Sequence, residues 1–67
     1  MKWIAHINKP RKIDFEIVYD ESVGYYLYVY DSNDIESKDE LQDTLEIAMQ
    51  VAKEDFNVPI DAWKISE

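Results

Sequence analysis

Cysteine is missing from all 67 residues. That excludes a disulfide staple, a thiolate nucleophile and a zinc–thiolate site, and makes a reducing compartment the expectation. Glycine occurs once, at Gly24, and one glycine cannot build a phosphate-cradling loop. Histidine also occurs once, at His6; with only scattered carboxylates around it, a metal site is not expected. No apolar run approaches the roughly 20 residues of a membrane-spanning helix. The opening MKWIAHIN has neither the apolar stretch nor the cleavage site of a secretory leader, so a cytoplasmic location is expected.

Positive charge is scarce too. Seven Lys or Arg stand against fifteen Asp or Glu, a formal net charge of −8. A nucleic-acid surface needs clustered Lys and Arg to displace counterions, and the one cluster, KPRK at Lys9 to Lys12, reads as a turn. Composition therefore argues against direct nucleic-acid binding and against docking to an anionic membrane. A basic protein partner is compatible with the acidity, although acidity alone serves solubility.

What is present is enough for a fold. The hydrophobic fraction is 46%, normal for a folded chain and too high for a disordered one. Residues 1–67 make a single small domain, which buries only roughly 60% of the surface its unfolded form exposes. Dimerisation is one common way for so small a domain to gain burial.

Three segments alternate with the period of a strand. KWIAHI places Trp3, Ala5 and Ile7 on one face, and IDFEIVY places Ile13, Phe15, Ile17 and Tyr19 together. GYYLYVYD carries Tyr25, Leu27 and Val29 on one side and Tyr26, Tyr28 and Tyr30 on the other. Turns fall at NKPRK, where Pro10 fixes φ, and at DESVG, where Gly24 is free to take positive φ. Pairing Ile7 with Ile13 and Tyr19 with Tyr25 puts every odd-numbered apolar residue on one face; a one-residue slip would mix the faces. The three strands thus form an antiparallel meander whose tyrosine row faces away from the core.

SKDE, Ser37 to Glu40, has the form of a capping box, predicting a helix from about Lys38 to Phe56. Leu41, Leu45, Ala48, Met49, Ala52 and Phe56 form its apolar stripe, with Asp39, Gln42, Asp43, Glu46, Gln50 and Lys53 opposite. Ile47 and Val51 border the stripe and read as core edge. Asn57 can take the left-handed stop and Pro59 forbids continuation. In the tail, AWKIS reads as a short strand and DAWK as a helical turn capped by Asp61, the strand being preferred. The expected fold is α+β: a three-stranded antiparallel meander with one long helix on one face, and a short C-terminal strand.

Candidate chemistry is thin. His6 should lie opposite Asp14, which resembles an oriented general base, but no nucleophile is near and a surface pair is the simpler reading. DSNDIE begins like a calcium loop and fails at Ile35 and Glu36, where a ligand and a glycine are needed. Asp14 and Glu16 could form a carboxylate pair for acid–base work, but both face solvent on the central strand, and the simpler reading is that they keep the sheet face soluble. No enzymatic activity and no cofactor are expected. The tyrosine row, adjoining Val18, Ile4, Asp14 and Glu16, is the strongest candidate. Tyrosine gives large contact area at low entropic cost and keeps a polar tip, although it also suits exposed strands by propensity alone. The expected partner-binding residues are Tyr26, Tyr28, Tyr30, Asp14, Glu16 and Val18.

GYYLYVYD followed by DTLEIAMQVAKEDF, Asp43 to Phe56, resembles the N-terminal domain of HicB-like antitoxins. Gly24, Tyr25, Tyr28, Asp31, Asp43, Thr44, Leu45, Glu46, Ala48 and Ala52 stand where that pattern puts them, over about half the chain. The Pro-Gly-Cys stretch of the pattern is replaced by SNDIES. The resemblance implies a β-β-β-α fold with a further strand and a role in masking a small basic toxin. The functional expectation is a small acidic, non-enzymatic interaction protein of antitoxin or immunity type with a basic protein partner. The alternative is a self-associating, homodimeric structural domain.

Overall fold

A computed structural model describes residues 1–9, 11–31 and 38–66. The chain is α+β: among the described residues five antiparallel strands form one sheet, and one α-helix covers one of its faces. The strands are β1 (Lys2–Ile7), β2 (Ile13–Asp20), β3 (Gly24–Asp31), β4 (Lys38–Gln42) and β5 (Lys64–Ser66), in the spatial order β4-β3-β2-β1-β5. Helix α1 (Leu45–Phe56) and a 3-10 turn (Ile60–Ala62) join β4 to β5. Those two strands lie at opposite edges, so this connection must cross the sheet. Four inter-strand gaps of about 4.8 Å make roughly 19 Å, and twelve helical residues supply about 18 Å of rise.

The meander register is the one that the alternation selects. Trp3 pairs with Ile17, Ala5 with Phe15 and Ile7 with Ile13; Phe15 pairs with Val29, Ile17 with Leu27 and Tyr19 with Tyr25. The core face follows from it. Trp3, Ala5, Ile13, Phe15, Ile17, Leu27 and Val29 are buried beneath Ala48 and Ala52 of the helix, while Leu45 is half-buried at the rim. Two alanines, both wholly buried, let the helix backbone sit close to the sheet.

The helix is shorter than predicted. Lys38–Gln42 is a strand paired with Tyr25–Val29, and the helix begins only after Thr44, whose Oγ1 accepts from the Ile47 N–H at 3.1 Å. Pairing with the free edge of β3 outweighs the helical preference of KDELQ, since tertiary context routinely overrides propensity. Ser37, the expected cap, and residues 32–36 of the rejected calcium-loop stretch lie outside the described residues. The stop is as read: Asn57 adopts φ 60, ψ 33, its N–H bonds Lys53 O at 2.9 Å, and Val58 N–H bonds Ala52 O at 3.3 Å, which gives these two carbonyls partners at the helix end.

Val51 packs at the core edge, but Ile47 is 44% exposed. In the tail the preferred short strand forms as β5; the turn before it spans Ile60–Ala62 with Pro59 at its N-cap, so Asp61 lies inside the turn and does not cap it. Val58 and Trp63, absent from the predicted core, are buried with it. They extend the core beyond the helix end, Trp63 meeting Phe15 edge-on at 6.3 Å between ring centroids.

Candidate interaction face

The face away from the helix is assembled by register alone. β3 contributes Tyr26, Tyr28 and Tyr30; beside them on β2 stand Val18, Glu16 and Asp14. Next come Lys2, Ile4 and His6 on β1, then Ser66 and Lys64 on β5. On the other flank β4 sets Leu41 opposite Tyr26 and Asp39 opposite Tyr28. All six residues expected to contact a partner therefore share one face and occupy two neighbouring strands. Leu41 joins them because residues 38–42 form a strand; it is 48% exposed, and not part of a helical stripe. Sequence reasoning missed it since only one of the five residues of β4 is apolar, which leaves no alternation to detect.

The tyrosines form an array. Their rings are near-parallel, with centroids 5.9 Å apart from Tyr26 to Tyr28 and 6.4 Å from Tyr28 to Tyr30. Mutual shielding leaves Tyr26 and Tyr28 half-buried while Tyr30 is exposed. None of the three hydroxyls has a hydrogen-bond partner among the described residues. Partial burial first, then the Glu16 carboxylate and Tyr28, push the Tyr30 phenol above the ordinary value of 10.0, so it remains a protonated donor at neutral pH.

Over β1, β2 and β5 the charge of this face is balanced. Lys2 and Lys64 match Asp14 and Glu16, and Lys2 Nζ lies 3.7 Å from Glu16 Oε2. Acidic side chains are exposed elsewhere: Asp20 and Glu21 in the β2–β3 turn, Glu40 on β4, Asp43, Glu46, Glu54 and Asp55 on and beside the helix, and Asp61 beyond it. Most of the exposed acidity and the tyrosine row thus mark two different surfaces.

His6 and Asp14 are opposite in register, as expected, yet among the described residues no hydrogen bond joins them and both are exposed. Among the described residues no group of three or more His, Asp or Glu is placed to hold a metal. An open depression of about 520 Å³ on this face is lined by Met1, Lys2, Glu16, Val18 and Ser66. A smaller hollow of about 240 Å³ lies between Ile7, Arg11, Ile13 and the helix end at Asp55, Phe56 and Asn57. Its guanidinium is already engaged, Arg11 Nε donating to both carboxylate oxygens of Asp31 at 2.9 and 2.8 Å. That pair ties the β1–β2 turn to the end of β3. No helix among the described residues is long and apolar enough to cross a membrane.

Comparison with protein-family models, with curated proteins and with solved structures finds no significant match to this chain.

Proposed function

We propose that the chain is a small, acidic, non-enzymatic protein-interaction domain of antitoxin or immunity type, with the open sheet face as its contact surface. The observation that carries this reading is continuity: Tyr26, Tyr28, Val18, Ile4 and Leu41 adjoin across four strands. Isolated surface apolar residues are ordinary, whereas contiguous ones mark contact sites. The resemblance of GYYLYVYD and DTLEIAMQVAKEDF to HicB-like antitoxins and the net charge of −8 both favour a basic protein partner.

The partner to test is a short basic protein encoded in the neighbouring reading frame. Tyr28 is central in the row and paired with Glu16, and central shielded aromatics concentrate binding energy, often about 2 kcal/mol or more each. Tyr28→Ala should weaken association at least ~30-fold and leave the melting temperature nearly unchanged, because the ring does not face the core. Unchanged binding by a folded Tyr28→Ala protein contradicts the assignment of the face. A second reading, self-association, is favoured by the balanced charge of the face over β1, β2 and β5.

A further inference from the structure

The open face is complementary to itself. β3 presents three phenol donors without partners among the described residues; β2, alongside, presents acceptors. The Asp14 carboxylate has no hydrogen bond or ion pair among the described residues, and Glu16 is met only by Lys2 at 3.7 Å. Donor stripe and acceptor stripe therefore run parallel, one strand spacing apart. A twofold axis along the strand direction, between β2 and β3, exchanges the stripes. It sets Tyr28 over Glu16 of a second copy, Tyr30 over Asp14 and Tyr26 over Val18.

Resting on the reading of this face as the contact surface, we propose that its occupant is a second copy of the chain, packed sheet on sheet about that axis. The orientation is chosen by charge. An axis across the strands would stack Tyr28 on Tyr28 and Glu16 on Glu16, desolvating like charges with no donor between them. Along the strands, each carboxylate meets a hydroxyl. Aligned sheets pack at about 30°, so the rows nearest the axis stay matched.

Four overlapping strands about 4.8 Å apart, some 20 Å long, give a footprint near 400 Å² per copy. That is on the order of 1,000 Å² of accessible surface in total, at the lower end for specific interfaces, which fits a concentration-dependent dimer. The helix-side acids stay outside it. Two chains of −8 repel at a distance, so added salt should tighten this dimer, while it would loosen a complex with a basic protein.

Sedimentation equilibrium of the full chain, from about 10 μM to about 1 mM at two salt concentrations, tests it. A monomer–dimer equilibrium that tightens with salt is expected. Tyr28→Glu sets a carboxylate against Glu16 twice and should weaken dimerisation at least ~100-fold. An equimolar mixture with Glu16→Lys should restore a dimer to within about tenfold of the original, as the new ammonium faces the new carboxylate across the axis. Thermal melts confirm that each variant is folded; should Tyr28→Glu unfold, Tyr28→Ala takes its place and should weaken the dimer by a smaller factor. A monomer throughout, a dimer indifferent to these variants, or no recovery on mixing folded variants overturns the proposal. A monomer that still loses a basic partner on Tyr28→Ala overturns it while leaving the contact-face reading standing.

Discussion

Phe15→Ala is expected to destabilise the domain by about 3–5 kcal/mol, the usual range for removing a core phenylalanine. Phe15 is 2% exposed in the central strand of the sheet. Its ring meets Phe56, at the end of the helix, edge-on at 5.3 Å, and Trp63 at 6.3 Å. It thus joins sheet, helix and C-terminal segment at one side chain. A single core of this size rarely supplies more than about 3–5 kcal/mol in total, so the variant should be largely unfolded at 25 °C. Near-UV circular dichroism and urea titration check this. A cooperative transition displaced by less than about 1 kcal/mol would mean that Phe15 is not central to the core.

Gly24→Ala should be the most damaging single-methyl addition. Gly24 has φ +123, a conformation that side chains rarely adopt, and an added Cβ would lie 2.6 Å from the Gln42 carbonyl oxygen. The obstructing atom belongs to the backbone of β4, so relief requires β4 to move from β3 at the Tyr25–Gln42 pair. Strain and overpacking together should destabilise by about 2 kcal/mol or more. Loss of stability should come with faster amide exchange in β4 than in β1 and β2. Wild-type stability, or exchange rising evenly in every strand, would contradict the close approach of Gly24 to β4.

Much of this fold is legible in the sequence, and the reasons can be stated. Strands β1 to β3 alternate cleanly, and their register has one solution that gathers Trp3, Phe15, Ile17, Leu27 and Val29 on a single face. Among the described residues, Gly24 and Asn57 mark the two positions where the backbone takes positive φ, and both residue types announce it. The fourth strand is not legible. KDELQ is an edge segment, charged and short, of the kind that protects sheet edges; nothing local distinguishes it from the first turn of a helix, and only its pairing with Tyr25–Val29 decides. From that one ambiguity follow the misplaced helix start and the missed position of Leu41. Val58 and Trp63 escape a sequence reading for another reason: the segment after Asn57 packs on the core beyond the helix end, which no periodicity within that segment reveals.

The central claim is that the face bearing Tyr26, Tyr28, Tyr30 and Val18 is where this domain meets another protein. Side-chain and amide resonances, followed by NMR through a concentration series and a titration with a basic protein partner, test it most directly. The account predicts shifts confined to Tyr26, Tyr28, Tyr30, Val18, Glu16 and Ile4, with the helix residues Glu46, Gln50 and Lys53 unmoved. Shifts centred on the helix, or on the edge of β5, would contradict it, as would a spectrum that never changes.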